Sequence, residues 1–276
     1  MISINEVLEI DKHQIVKTKE LLKDFQFLKK LQYNIPSGAK NFDETIGGGF
    51  YQGKKYLIFG GNKTGKTQLC HQLCVQAYFQ SSRLNERSQT LNKHLIFYFD
   101  TENTFRPERL NELIMSREVD YNKLLKNIFV SKIMSNSALL LSLQELESLL
   151  EKHDINVLII DTINNHFNSE IANKKISTNK TKDIFMRILT TINELTMKFN
   201  LITIATAQVT SNLIKDTSIK VLPVGNHLLN HFFSEYVYLD YKEHNQRYVQ
   251  LVNSITLPEK RLLYKITSLG IQDYKI

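Results

Sequence analysis

Long apolar runs are missing from this sequence, and none approaches the roughly 20 residues that a membrane-spanning helix needs. A membrane partner is therefore not expected. Also missing, over Met1 to Glu6, is a basic stretch followed by an apolar block. That excludes a secretory signal and predicts an intracellular protein, in the nucleus or in the cytoplasm and nucleoid according to the cell. Cysteine occurs only twice, at Cys70 and Cys74. One reading is a redox pair or half a metal site. The other is two small apolar residues on one helix face, which is favoured because no second ligand cluster accompanies them. There is no internal repeat.

What is present is ordinary for a globular chain of 276 residues: 42% hydrophobic and 23% charged. The formal net charge of +7 fits a solvated basic surface, and fits a polyanion partner equally well. Residues 1–37 read as an N-terminal helical segment and linker. Ile15, Thr18, Leu22 and Phe25 fall at helical spacing there, before Pro36 and Ser37-Gly38 break the pattern. Residues 38–276 read as one core domain.

Within that core, short apolar runs alternate with helical patterns. The runs are 56–59, 95–99, 128–130, 157–160 and 201–205. Apolar on both faces, they predict buried strands of a mostly parallel sheet. Helices are expected at about 66–80, 106–117, 137–152 and 180–199. Such alternation means an α/β layered fold. Residues 236–240, 247–253 and 262–267 predict antiparallel C-terminal strands. Residues 81–93 and 168–182 read as loose polar connections.

Gly60-Gly61-Asn62-Lys63-Thr64-Gly65-Lys66-Thr67 fits the phosphate-loop pattern G-x-x-x-x-G-K-[ST] in full, between a predicted strand and a helix. The chemistry needs that arrangement. Glycines let successive backbone N–H groups turn toward phosphate oxygens, and the helix N-terminus adds partial positive charge. Lys66 can reach terminal phosphates, and the Thr67 hydroxyl can bind magnesium. Asp161 ends the run 157–160, where a magnesium-ordering acid belongs, although a bare strand-end capping residue reads the same way. Glu102, in Asp100-Thr101-Glu102, is the candidate for activating water, against a solvated loop acid. Gln208 stands on the same predicted edge, as a phosphate sensor or an ordinary loop residue.

Two further stretches carry a resemblance. Gly65-Lys66-Thr67-Gln68-Leu69-Cys70-His71-Gln72-Leu73 resembles the phosphate-loop helix of the archaeal and eukaryotic RecA/RadA recombinases. Asp100-Thr101-Glu102-Asn103-Thr104-Phe105-Arg106-Pro107-Glu108-Arg109 is similar to the same family, as are Leu257-Pro258-Glu259, Ile266-Thr267 and Gly270-Ile271. The matches run from about Gly38 to Asp273. The resemblance implies a RecA-like P-loop ATPase core, with ATP and Mg2+ as cofactors. It also implies homologous recombination and DNA repair as the setting.

The resemblance assigns roles position by position. Glu102 matches the water-activating glutamate, Asp161 the magnesium-ordering aspartate, and Arg109 an arginine packed on adenine. Gln208 matches a glutamine that links the terminal phosphate to a DNA-binding loop. His231 matches a phosphate-sensing histidine, and Pro258 lies in a segment that caps ATP on a neighbouring subunit. Single-stranded DNA would meet two loops. The first holds Lys174, Lys175, Lys180 and Lys182, and the second holds Lys215 and Lys220. Other RecA/RadA-family subunits are the implied protein partners.

The sequence departs from that pattern in several places. Only 37 residues precede Gly38, fewer than the family's helical N-terminal DNA-binding domain needs. No aromatic-x-x-Ala polymerisation motif is present, and Ile15-Val16-Lys17-Thr18 is a poor substitute. Asn103 replaces a glycine, Asn253 an aspartate and Tyr236 a basic residue. The second loop is short and lacks the family's glycines. Three readings stay open: a recombinase paralog or accessory factor, a self-polymerising strand-exchange recombinase, and an ATP-binding structural subunit of a hetero-oligomer with little turnover.

Overall fold

The computed structural model describes residues 33–88, 95–115, 119–173, 177–213, 219–243 and 246–274. The helix expected around Ile15 to Phe25, and the candidates Lys174, Lys175 and Lys215, lie outside the described residues. Asn34–Ile276 form one compact unit.

Among the described residues a nine-stranded sheet organises it, in the order β13-β12-β11-β10-β3-β7-β6-β4-β5. The parallel part comprises β3 (Lys55–Gly60), β4 (Leu95–Asp100), β5 (Ile128–Lys132), β6 (Ile155–Asp161), β7 (Ile202–Ala207) and β10 (Glu235–Tyr241). Beyond β10 the sheet turns antiparallel through β11 (Arg247–Ser254), β12 (Lys260–Thr267) and β13 (Gly270–Asp273). This is the expected mixed architecture of a RecA-like core.

Side chains on β3, β4, β6 and β7 alternate between two buried faces, because successive strand residues point to opposite sides. Leu57, Phe59, Phe97, Phe99, Leu158 and Ile160 share one core cluster with two helices. Those helices are α5 (Asn136–Leu150), which buries Leu139, Leu143 and Leu146, and α7 (Thr178–Lys198), which buries Phe185, Ile188 and Ile192. Spacings of three and four place these residues on one helical stripe. Ser135 caps α5 by accepting from Ala138 N at 3.1 Å, and Ser177 caps α7 by accepting from Lys180 N at 3.3 Å. The other sheet face meets α2 (Lys66–Ser88), which buries Leu69, Cys70, Leu73 and Cys74. Both cysteines are free and fully buried, and burial raises both thiols, so they act as small apolar fillers.

Smaller elements complete the unit. A ribbon of β1 (Asn34–Ile35) and β2 (Phe50–Tyr51) brackets α1 (Lys40–Thr45), which packs on β11, β12 and β13. α3 (Pro107–Ile114) starts on a proline, whose missing N–H is unneeded at a helix start. α4 is Tyr121–Leu125, α6 is Asn165–Asn173 and α8 is Asn226–Leu229. β8 (Val209–Ser211) and β9 (Val221–Pro223) pair as a separate antiparallel arm. Among the described residues no helix is long and apolar enough to cross a membrane.

Three expectations change. Residues 128–130 are not buried on both faces: β5 is the outermost strand, with Phe129 37% and Val130 40% exposed. An apolar run alone does not distinguish a central strand from an edge. The segment 81–93 is not all loop, because α2 continues to Ser88. The segment 168–182 is largely helical, in α6 and the start of α7. Lys180 and Lys182, expected in a loop, are exposed residues of the N-terminal part of α7. Polar composition hid these turns, since solvated helical faces and loops share it.

Candidate active site

The phosphate loop joins β3 to α2 at the C-terminal edge of the parallel strands, where α/β sheets take ligands. Its shape depends on three residues with positive φ: Gly60 at 154°, Lys63 at 63° and Gly65 at 101°. A Cβ on Gly60 would lie 2.1 Å from the Leu239 carbonyl oxygen, so the neighbouring strand β10 forms the wall of the loop. Thr64 Oγ1 donates to Gly61 O at 2.8 Å. Lys66 Nζ donates to Gly60 O at 2.8 Å and Gly61 O at 3.1 Å, which curls the side chain over the loop. Burial lowers the Lys66 pKa, and the carboxylates of Asp161 and Glu102 pull it back up. The loop is braced from the antiparallel strands: Tyr264 Oη donates to Thr64 O at 2.5 Å and Arg247 Nε to Lys63 O at 3.1 Å.

Asp161 ends β6 and is fully buried. Its carboxylate accepts from Tyr98 Oη at 2.9 Å and from Thr206 Oγ1, and Thr67, the last residue of the loop, stands close enough for its hydroxyl to favour the charged form. Burial raises its pKa, and those hydrogen bonds oppose the rise. Thr67 and Asp161 therefore present a hydroxyl and a carboxylate together, a donor set that suits a hard divalent cation. With the glycine-lined loop beside them, the residues present fit a magnesium-bound nucleotide.

Glu102 lies beyond the end of β4. Its Oε1 accepts from Thr162 Oγ1 at 2.9 Å and from Gln208 Nε2 at 2.8 Å. Gln208 Nε2 also reaches Asn165 Oδ1 at 3.0 Å. The Glu102 loop is shaped by Asp100, which accepts from Thr104 N and Phe105 N, each at 3.0 Å. Asn103 has a φ of 55°, a left-handed conformation that asparagine tolerates better than other non-glycine residues. Its presence where the resemblance has glycine is thereby accommodated. A cleft of about 320 Å³ opens beside Glu102, lined in part by Lys132, Met134 and His166.

His71 joins the two halves of the site. Its Nε2 accepts from Arg106 N at 2.9 Å, so Nδ1 carries the proton and donates to Thr67 O at 2.8 Å. The ring stacks on Phe105 at 5.1 Å between centroids. Burial lowers the His71 pKa from 6.5. The neutral ring therefore stabilises the fold above that value, and this contribution is lost as pH falls below it. His71→Gln is expected to cost about 1–3 kcal/mol at neutral pH, because it weakens two bonds of buried groups. It is also expected to flatten the acid limb of Tm against pH below 6.5. Thermal melts across that limb check both.

The remaining candidates divide by position. Arg109 has its guanidinium held by Gln68 Oε1 at 2.7 Å, by Glu112, and by the carbonyls of Ser268 at 2.7 Å and Thr267 at 3.2 Å. It thus ties α2 to the β12–β13 turn. His231 is exposed in the turn after α8. Pro258 is exposed between β11 and β12. Glu235 at the start of β10 pairs with both Tyr56 and Ser254, whereas Gly60 pairs with Leu239. The segment after Ser254 therefore stands at the sheet edge opposite the phosphate loop, and Pro258 does not join its own chain's cluster. Lys220 lies just before β9, on the returning limb of the arm.

Sequence reasoning missed Tyr98, Thr162, Asn164, Asn165 and Thr206. Tyr98 is hidden inside an apolar run, and the others are polar residues at the end of a strand or just beyond it, where no spacing distinguishes them from capping residues.

A phosphate loop, a buried acid two strands away and a glutamate facing a glutamine across one sheet edge coincide with a family model described as Rad51, which matches residues 29–274. The chain belongs to the Rad51 family. The chain is also 27% identical over 239 residues to the DNA repair and recombination protein RadA of Aeropyrum pernix, covering 87% of this chain and 73% of that one. Rad51-family members are DNA-dependent ATPases of recombination and repair that use ATP and Mg2+, so family membership makes this a recombination and repair protein.

Proposed function

We propose that this Rad51-family chain is an ATP-dependent single-stranded-DNA-binding protein of homologous recombination, acting as a recombinase paralog or accessory factor. One observation carries the reading: Thr67, Asp161, Glu102 and Gln208 converge on the edge where the phosphate loop sits. In this reading residues 60–67 and Gln68 cradle ATP, Lys66 neutralises the terminal phosphates, and Thr67 and Asp161 hold magnesium. Bound Mg–ATP supplies the phosphoanhydride to be cleaved. Glu102 orients and deprotonates the attacking water, and Gln208 holds Glu102 in place. Arg109 packs on the adenine face while its donors stay on Gln68 and the β12–β13 turn.

A second subunit of the same family is part of the reading. Pro258 and Asn253 stand on the edge opposite the loop, which supports a capping segment that serves a neighbour's nucleotide. His231, exposed on the surface, faces such a neighbour. Residues 38–276 act as the ATPase core and 1–37 as linker. Lys174, Lys175, Lys180, Lys182, Lys215 and Lys220 contact DNA phosphates, which makes binding strongly salt-dependent.

The test is turnover and ATP affinity of the purified full chain, with and without single-stranded DNA and with family subunits added. Turnover should rise with DNA, and Lys66→Ala should lower it about 10²–10³-fold. Tight ATP binding with turnover indifferent to both DNA and Lys66→Ala would reject the reading.

A further inference from the structure

The β8–β9 arm leaves the sheet edge at Gln208 and returns at Val224. Its two feet touch, since Val224 N donates to Gln208 O at 2.9 Å. The side chain of Asn164 grips both. Asn164 Oδ1 accepts from Gln208 N at 2.7 Å, and Asn164 Nδ2 donates to Gln208 O and Val224 O, each at 2.9 Å. Both amide protons are used, and Asn164 is fully buried. Its own backbone is fixed just as firmly: Ile163 N donates to Thr206 O at 2.9 Å, which locks the segment after Asp161 onto the end of β7.

We propose that Asn164 is a positioning residue that ties both feet of the β8–β9 arm to the strand end carrying Asp161, so that the arm and the Gln208 side chain move together. Only a primary amide satisfies the three contacts, because one group must accept from an N–H while donating to two carbonyls. The arm carries the Gln208 backbone, and the Gln208 side chain bridges Glu102 Oε1 and Asn165 Oδ1. Displacing the arm therefore displaces the group that holds Glu102. This effect on turnover rests on the proposed ATPase reading, whereas the clamp itself does not.

The test compares wild type with Asn164→Asp, Asn164→Thr and Asn164→Ala in the full chain. Asn164→Asp keeps the shape and the acceptor but removes both donors, so it serves if the alanine variant does not fold. Hydrogen exchange at the amides of Asn212 and Val224 reads the arm. It should quicken about tenfold or more in the aspartate variant while β6 amides stay unchanged, with threonine intermediate because its hydroxyl can donate to one carbonyl. Turnover then falls in kcat at unchanged KM for ATP. Unaltered arm exchange in Asn164→Asp overturns the clamp. A loosened arm with wild-type kcat overturns its coupling to Glu102. If wild type itself does not hydrolyse ATP, the functional reading fails, and the exchange data still decide the clamp.

Discussion

Glu102→Gln lowers ATP turnover about 10²–10⁴-fold and leaves ATP affinity within about twofold, the expected signature of losing a base that acts only in the transition state. The amide keeps the size of the side chain, and its oxygen can still accept from Thr162 Oγ1 and Gln208 Nε2. The loop around Asp100 is untouched, because its bonds to Thr104 N and Phe105 N do not involve residue 102. Single-turnover hydrolysis beside equilibrium binding of a fluorescent ATP analogue separates the two effects. Equal loss of affinity and turnover would mean that Glu102 shapes the pocket rather than the chemistry. Unchanged turnover would remove Glu102 from the mechanism.

Gly60→Ala is expected to be the most damaging small substitution in the chain, at about 3–5 kcal/mol of stability. The added methyl would meet the Leu239 carbonyl at 2.1 Å, and that oxygen is backbone, which cannot swing aside. Gly60 also sits at φ 154°, where an L side chain is strained. The strand pair β3–β10 would have to separate at the seam of the sheet. Gly61→Ala is the internal control: a Cβ there meets nothing within 4 Å, so stability should stay within about 0.5 kcal/mol. Urea unfolding of the two variants checks the contrast. Equal midpoints would show that β10 yields at Leu239.

Much of this was legible in the residues. Buried strands of a parallel sheet need continuous apolar runs, so β3, β4, β6 and β7 stand out. The phosphate loop is legible because it combines a backbone requirement at Gly60 and Gly65 with a charge at Lys66. What escaped is chemistry made by distance. Asn164 and Gln208 lie 44 residues apart and meet only because β6 and β7 are neighbours. Thr206 looks like any strand-end threonine until it reaches Asp161. His71 appears as one more residue of a helix face, yet it bonds the loop 35 residues later. The edge position of β5 is equally hidden, since it is set by the lack of a further strand beside it among the described residues.

The bracing of the loop from the C-terminal strands has a consequence for how the protein is made. Tyr264 holds Thr64 O across 200 residues of chain. A ribosome adding about 5–20 residues per second needs roughly 10–40 s to cover that interval. During it the newborn phosphate loop exists without its brace and without the β10 wall. Nucleotide capture is thus deferred until Tyr264 has been synthesised, and a nascent chain that has not reached it has no finished pocket with which to bind ATP.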